Sequence, residues 1–386
     1  MKLTTFLLAL NIFAQSCKNQ EQKLPILKLP NEGVLKIIDS LQLDLDSLTI
    51  PNSENIYLID TFVYICNVDA NLITKININT NQITNTIFNC QRFGKRQEFS
   101  AIWIQKEKIF AVQNKFKKGF VFKSNGILID SFLLAKTEDN NLRKIITDNP
   151  LVSTIQPLLI KDSIVHSLGF ALMEGNYHMN DARFVLCASN IKEKIFYVNY
   201  PKSYDGKNWG GTYLRMVYGT TVGDSLMAIS FPATSQLAVF NVLTNSTRYI
   251  NCFPNIDSVV APVGTMNDLD KKQIDIARHF FKQYSFHAII FDKYRNVYYR
   301  ILYKPIPTKN ENSIGNLAKQ ILVYDTTFKY LGFTQIDGSL YSNSIYLVHP
   351  KGLLIQKLKD TKNEEHINFD LFALDSITSR KLQAKR

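Results

Sequence analysis

Short strand-forming segments joined by polar turns recur along this chain. In residues 296–304 (NVYYRILYK), Val297, Tyr299 and Ile301 point to one face of a strand, and the intervening residues point to the other. Aromatic and β-branched residues in such segments favour strands, whereas Asn, Asp, Ser, Thr and Gly in between favour turns. The pattern predicts an all-β protein made of small antiparallel sheets.

The strand pairs group into six units. Their approximate limits are 46–90, 97–135, 150–200, 211–254, 284–335 and 340–376. A small sheet cannot bury its own apolar faces, and repetition around an axis buries them while leaving only short edges. The sequence therefore predicts a six-bladed β-propeller over residues 34–386. The last unit lacks a good outer strand, and we expect residues 34–45 (VLKIIDSLQLDL) to supply it and close the ring.

One segment departs from the strand pattern. Residues 268–286 carry a rough apolar stripe at helical spacing, with Ile276 and Phe280 among its members, and Asp residues near its start. This segment predicts a short helical insertion before the fifth unit. Insertions of this kind often lie on the binding face of a fold.

The N-terminus has the features of an export signal. Residues 6–13 form an apolar run much shorter than the roughly 20 residues that span a bilayer as a helix, and Lys2 precedes it. Small residues then lead to Cys17, as in a bacterial lipoprotein signal. We predict a signal peptide over 1–16, lipid attachment at Cys17 and a polar tether over 17–33. The alternative is a secreted protein without a lipid.

Composition excludes some classes of partner. The formal net charge is +12, but Lys and Arg are scattered apart from small groups such as KFKKGF at 115–120, so we expect no nucleic-acid binding. No cysteine pair has C-x-x-C spacing and the histidines are isolated, so we expect neither a metal nor a cofactor. Cys66 and Cys90 fall in one unit and would be neighbours, although buried free thiols are the simpler interpretation.

The chain also resembles a known family of bacterial proteins. The lipoprotein-like start, the weak sixfold strand repeat and the block FHAIIFDKYRNVYYRILYKP at 286–305 resemble bacterial TolB-like six-bladed β-propeller lipoproteins of unknown function. The resemblance implies a propeller in the cell envelope and implies no catalytic residues.

Two short motifs are similar to enzyme signatures. Residues 222–231 (VGDSLMAISF) contain the letters of the GDSL hydrolases, but Ser225 lies in the middle of the chain and no D-x-x-H follows. Residues 203–211 (SYDGKNWGG) nearly match the Asp-box turn of sialidase-type propellers, with one residue missing and no second copy. Both are better explained as turns, and no catalytic residue is predicted.

Aromatic and arginine side chains are the remaining candidates for a binding site. Aromatic rings stack on sugars or peptides and guanidinium groups bind carboxylates, although aromatic residues also fill the gaps between blades. The candidate ligand-binding residues are Tyr204, Trp209, Arg215 and Tyr218 around one loop and strand, together with Arg295 and Arg300 of the block described above.

These observations predict a binding or protein-interaction module that is lipid-anchored to the outer membrane. The expected partner is a protein or a carbohydrate, and the module faces either the periplasm or the outside. One alternative is an envelope hydrolase that acts on an exported polymer, which requires converging acidic or nucleophilic groups in the central channel. Another is a structural subunit of an envelope complex, which requires an exposed apolar patch.

Overall fold

The computed structural model describes most of the chain after the predicted tether. The described residues are 29–50, 53–88, 91–92, 95–96, 99–105, 107–113, 118–133, 147–171, 184–189, 194–209, 212–252, 260–262, 264–265, 273–306, 318–358 and 365–383. Within them the chain forms five four-stranded sheets, one five-stranded sheet and two two-stranded ribbons. Cys17 and the predicted signal peptide lie outside the described residues.

The six larger sheets follow one another along the chain and are named A to F here. The first strand, β1 (Leu35–Asp44), belongs to the last sheet. Sheet A consists of β2 (Ile56–Ile59), β3 (Phe62–Asn67), β4 (Leu72–Asn77) and β5 (Ile83–Ile87). A ribbon of β6 (Gln91–Arg92) and β7 (Lys95–Arg96) follows. Sheet B consists of β8 (Ala101–Gln105), β9 (Lys108–Gln113), β10 (Lys118–Lys123) and β11 (Leu128–Leu133).

Sheets C and D occupy the middle of the chain. Sheet C consists of β12 (Thr147–Leu151), β13 (Leu159–Lys161), β14 (Ile164–Ala171), β15 (Phe184–Ser189) and β16 (Lys194–Asn199). A 3-10 turn (Lys202–Tyr204) and β17 (Lys207–Asn208) lead to sheet D, which consists of β18 (Tyr218–Val222), β19 (Leu226–Ser230), β20 (Gln236–Asn241) and β21 (Ser246–Asn251).

The last part of the chain contains two α-helices and the final two sheets. The strand β22 (Gly264–Thr265) pairs with β17, and helix α1 (Gln273–Phe281) follows it. Sheet E consists of β23 (Ser285–Asp292), β24 (Val297–Tyr303), β25 (Lys319–Asp325) and β26 (Tyr330–Ile336). Sheet F consists of β27 (Tyr341–His349), β28 (Gly352–Lys357), β29 (His366–Leu374) and β1, before helix α2 (Ser376–Gln383).

The predicted closing strand is confirmed. Strand β1 pairs with β29 in antiparallel register from Leu35 opposite Leu374 to Asp44 opposite His366. The first strand of the chain thus becomes the outer strand of the last sheet. Helix α1 also lies within the segment predicted to be helical, although it is shorter than 268–286.

Buried apolar clusters connect each sheet to the next. Ile73, Ile102 and Phe122 belong to a cluster between sheets A and B. A second cluster joins sheets B and C, a large one runs through sheets C, D, E and F, and a fourth returns from F to A. Sheets that pack in sequence and return to the first one form a β-propeller.

The predicted number of blades is not confirmed, because in the described part of the chain five sheets are regular four-stranded blades and the sixth is not. The unit at 150–200 departs from the pattern, since β12 and β13 both pair with the same edge of β14. Residues 152–158 separate these two strands. They include Pro157, which has no backbone N–H to donate to a sheet.

The segment at 152–158 leaves sheet C and contacts two other sheets. The Thr154 hydroxyl donates to the Ile56 carbonyl at 2.8 Å, next to sheet A's first strand. On the other side, Gln156 Nε2 donates to the Val217 carbonyl at 2.8 Å, and the Gly219 N–H donates to the Ile155 carbonyl at 3.0 Å. Sheets A and D are not neighbours in the ring, so the segment lies near the axis, where their inner strands approach each other.

Two further features bear on the sequence predictions. Cys66 and Cys252 are buried free thiols. Burial raises the pKa of the Cys66 thiol and raises that of Cys252 to about 11. Within the described parts of the chain, no helix has the length and apolar character needed to cross a membrane.

Candidate functional site

Tyr204 and Trp209 lie in the interior of the propeller. Their exposed fractions are 1% and 2%. The Tyr204 hydroxyl donates to the Leu214 carbonyl at 3.0 Å and accepts the Ala233 N–H at 2.9 Å. Trp209 packs on Tyr204 with ring centres 5.0 Å apart. The structure therefore places both rings in packing positions, which is the alternative role that the sequence analysis considered for these aromatic residues.

Arg300 is buried between sheets E and D. Its Nε donates to Ser230 Oγ at 2.9 Å, and its Nη1 donates to the Ser235 carbonyl at 2.7 Å. Nη2 donates to the Thr234 carbonyl at 3.0 Å, and the guanidinium lies 3.6 Å from the centre of the Phe286 ring. Burial lowers the pKa of Arg300. These contacts use the guanidinium to hold the loop that follows β19 against sheet E.

Arg295 connects the turn of one hairpin to the next sheet. Its Nη1 forms an ion pair with Asp292 Oδ2 at 2.6 Å and donates to the His349 carbonyl at 3.2 Å. Its Nη2 donates to the Pro350 carbonyl at 2.6 Å. Arg295 thus joins sheet E to the β27–β28 turn of sheet F.

Arg215 and Tyr218 are also buried, each with 7% exposed. Burial lowers the pKa of Arg215, and its backbone carbonyl accepts the Tyr200 hydroxyl at 2.7 Å. Tyr218 begins the inner strand of sheet D and its ring lies 3.9 Å from the His287 ring. A ligand-binding role for the six candidate residues stays a prediction.

Tyr218 belongs to a group of side chains near the axis that the sequence analysis did not single out. His287 lies between the rings of Tyr218 and Tyr303, 4.7 Å from the latter. The hydroxyls of Tyr303 and Tyr346 and the Nδ1 of His287 are buried without a hydrogen-bond partner among the described residues. Burial lowers the pKa of His287 to about 3, with the nearby Lys319 adding to the effect, so His287 is neutral at pH 7.

Lys319 is a buried cation in the same region. It is opposite Tyr303 in the β24–β25 ladder, and its Nζ donates to the carbonyls of Tyr341 and Ser342 at 2.6 and 2.9 Å. Burial lowers the pKa of Lys319 to about 7, and Asp337 opposes the shift. These contacts close the joint between sheets E and F.

A concave pocket lies between sheets B and C, and we call it the B/C cavity. It has a volume of about 800 Å³. Apolar side chains from both sheets form its floor, and polar or charged residues surround them. The lining residues are Gln105, Glu107, Lys108, Phe110, Val121, Ile129, Asp130, Phe132, Ile160, Asp162, Ser163 and Val165.

Local backbone features shape the two walls of the B/C cavity. On sheet B, Val121 is opposite Asp130 and Phe122 is opposite Leu128, so Ile129 is the extra residue of a β-bulge and is 47% exposed. Phe132 lies against Gly119, where a Cβ atom would be 2.1 Å from the ring. Because residue 119 has no side chain, the Phe132 ring lies directly over the backbone of sheet B. Phe132 also belongs to an apolar cluster with Val165 of sheet C.

The bulge has a counterpart elsewhere in the ring. Residues 38–40 and 129–131 share the sequence Ile-Asp-Ser, in the outer strands of sheets F and B. In β1 the register also skips one residue, Ile38, which is 55% exposed. In both strands the Asp Oδ1 accepts the N–H of the following Ser, at 2.9 Å for Asp39 and 2.7 Å for Asp130. The two strands are therefore equivalent in the repeat, and the one in sheet B borders the cavity.

Gln105 bridges the two walls of the cavity. Its Nε2 donates to the Ile160 carbonyl at 3.4 Å, and its Oε1 is buried without a donor among the described residues. A buried amide oxygen without a donor is costly, and a bound group with an N–H or O–H would satisfy it. Within the described ranges, no group of three or more His, Cys, Asp or Glu side chains has the arrangement to hold a metal.

Fold and closure together define the class of this protein as a β-propeller. A family model for a domain of unknown function, DUF4221, matches residues 33–335, and the chain belongs to that family. No functionally curated protein matches the chain.

Solved structures show the same fold. A DUF4221 member from Bacteroides vulgatus has 16% identity and a TM-score of 0.68, with 89% of this chain and 99% of that chain covered. A Bacteroides fragilis protein assigned as exported has 10% identity and a TM-score of 0.55, with 89% and 96% covered. At these identities the likeness concerns the fold alone.

Proposed function

We propose that this chain is a six-bladed β-propeller of the cell envelope that acts as a binding module, with the B/C cavity as its ligand site. The observation that carries the proposal is the cavity itself. Its volume of about 800 Å³ lies within the range of small-molecule sites, and its apolar floor with a few polar groups has the composition of such sites.

Counting sheet C as the sixth blade is supported by its pairing. Strand β13 pairs with residues 164–166 of β14, and β12 pairs with residues 168–171. The two strands therefore occupy successive halves of one edge and together replace a single inner strand. Sheet C then has the width of four strands, as in the other five sheets.

The anchored state is the second part of the proposal. Cys17 carries the lipid, residues 17–33 form the tether, and the propeller is held at the outer membrane as in the TolB-like lipoproteins. Pro30 and Glu32 contact the outer strand of sheet E, through the Tyr330 hydroxyl at 2.9 Å and a bridge to Phe333. This contact brings the tether to the rim of the ring. Mass spectrometry of the mature N-terminus checks the lipid, and Cys17→Ser should release the protein from membranes.

Filling the cavity tests the binding proposal. Val121 and Val239 are each the fourth residue of the third strand of their sheets and are both half-buried, but only Val121 lines the cavity. The probe is N-phenyl-1-naphthylamine, a neutral apolar fluorophore. We expect saturable binding by the wild type and by Val239→Trp, and at least a tenfold loss of affinity in Val121→Trp.

A second pair of variants keeps the test valid if Val121→Trp does not fold. Ile129 and Ile38 are both exposed bulge residues, so their replacement by Gln should leave the thermal midpoint unchanged. Ile129→Gln should weaken probe binding, whereas Ile38→Gln should not. Equal binding by both Gln variants, or no saturable binding by the wild type, would contradict the assignment of the cavity as the ligand site.

A further inference from the structure

The B/C cavity has a charge opposite to that of the whole chain. Among the described residues, three acidic ones, Glu107, Asp130 and Asp162, line it together with one basic residue, Lys108. The formal net charge of the chain is +12. An acidic cavity disfavours bound anions and favours bound cations, although the protein as a whole is basic.

The acidic residues come from separate structural elements. Asp130 lies on the bulged outer strand of sheet B, and Glu107 lies in the β8–β9 turn of the same sheet. Asp162 lies in the β13–β14 turn of sheet C, where it and Ser163 have φ values of 48° and 66°. Carboxylates therefore face the cavity from both walls, and their separation does not match a metal site in the described residues.

The polar atom that lacks a partner points to the same class of ligand. Gln105 Oε1 is an acceptor, is buried and has no donor among the described residues. The apolar floor includes Phe110, Phe132 and Val165, which are all less than 9% exposed. A group that satisfies both features has an apolar body and an N–H donor.

We infer that the B/C cavity binds an organic cation, with an apolar body on the floor and an ammonium or guanidinium group beside the carboxylates. This inference rests on the proposed function. The chemistry is shared by a free hydrophobic amine and by a Lys or Arg side chain next to an apolar residue in a peptide.

Three small probes of similar shape test the charge preference. 4-Phenylbutylamine is cationic, 4-phenylbutanol is neutral and 4-phenylbutyrate is anionic at pH 7. We expect the full-length protein in detergent to bind the amine most tightly and the carboxylate least tightly, as measured by calorimetry. The preference for the amine should weaken as salt is added, because the carboxylates are partly exposed.

The structure offers a matched control for two of the acidic residues. Asp130→Asn is compared with Asp39→Asn, its equivalent in the Ile-Asp-Ser repeat. Asp162→Asn is compared with Asp60→Asn, since both residues have positive φ in an inner hairpin turn and Asn accepts that conformation. Each cavity variant should lose about two- to fivefold in affinity for the amine and nothing for the alcohol, and the controls should lose neither.

The outcomes separate the two proposals. If the alcohol binds as tightly as the amine and Val121→Trp abolishes both, the cavity is a ligand site but the charge inference is wrong. If no probe binds, or Val121→Trp changes nothing, the cavity is not the site and both proposals fail. An acetylated, amidated Phe-Ile-Lys peptide is the second arm: tighter binding than the amine assigns the cation to a peptide, and weaker binding assigns it to a free amine.

Discussion

The joint between sheets B and C differs from the joints that connect sheets C, D, E and F. One continuous apolar cluster runs through those four sheets. Sheets B and C share a smaller cluster that includes Phe110, Phe132 and Val165, and the B/C cavity lies beside it. Arg300, with its hydrogen bonds to sheet D, has no counterpart among the residues that line the cavity.

The comparison shows how a repeated unit diverges locally. The outer strands of sheets B and F share the Ile-Asp-Ser bulge, so the difference does not come from that motif. In sheet B, the missing side chain at Gly119 lets the Phe132 ring lie over the β10 backbone, and the bulge residue Ile129 borders the cavity. One continuous apolar cluster thus runs through sheets C to F, and the cavity lies at the joint between sheets B and C.

The largest expected effect on stability concerns Arg300, at the joint between sheets D and E. Arg300→Met removes the donors to Ser230 Oγ and to the carbonyls of Ser235 and Thr234, and leaves these acceptors buried. We expect a loss of about 3–5 kcal/mol in the free energy of unfolding, measured with urea. The matched control is Arg248→Met on the exposed outer strand of sheet D, which should change it by less than about 0.5 kcal/mol. Similar effects of the two variants would show that the Arg300 contacts contribute little.

Truncation of phenylalanine side chains compares the two joints directly. Phe240 is fully buried in the large cluster, and Phe132 is 8% exposed beside the cavity. Because Phe132 belongs to the smaller cluster and is slightly exposed, we expect Phe132→Ala to cost about 2 kcal/mol and Phe240→Ala about 4 kcal/mol. Equal costs in urea unfolding would mean that the B/C joint is packed as well as the others.

Much of the fold follows from local patterns. Alternation and turn residues predict the strands, and chain order with one missing outer strand predicts the closure by residues 34–45, which β1 confirms. Alternation is less informative about burial: residues 297–303 alternate between two kinds of side chain, yet all of β24 is buried because sheets pack on both of its faces. The division of sheet C's inner edge depends on contacts of residues 152–158 with sheets A and D, which no local pattern contains.

The candidate site was harder to predict than the fold. Sequence patterns favour aromatic and arginine residues as ligand-binding candidates, but the structure places Tyr204, Trp209 and Arg300 in the interior. The cavity forms where the side chains of sheets B and C leave a gap. No sequence motif marks such a gap. Its one available signal was the Ile-Asp-Ser repeat, whose bulge places Ile129 at the cavity.

The smallest expected effect concerns Lys319, at the joint between sheets E and F. Its pKa in the folded protein is lowered to about 7, whereas the pKa of a lysine in an unfolded chain is about 10.4. Between these values the unfolded chain binds more protons than the folded one, so stability should rise with pH above 7. Above pH 7 the Lys319 amine is increasingly neutral, so folding no longer buries a charge there. Lys319 alone should contribute a gain of about 1.5 kcal/mol between pH 7 and 8.5, measured by urea unfolding at each pH.

Two variants isolate this contribution. Lys319→Met should flatten the rise between pH 7 and 8.5, and Lys329→Met, at an exposed position in the turn before β26, should retain it. The buried thiols of Cys66 and Cys252 and the imidazole of His287, which also have shifted pKa values, affect both variants equally, so the difference between the two variants reports Lys319. If Lys319→Met keeps the full rise in stability, burial in the E/F joint does not destabilise the charged form of Lys319. The hydrogen bonds from Lys319 to the two carbonyls would then fully offset the cost of burying its charge. In that case the E/F joint would accommodate a charged group as readily as the B/C joint.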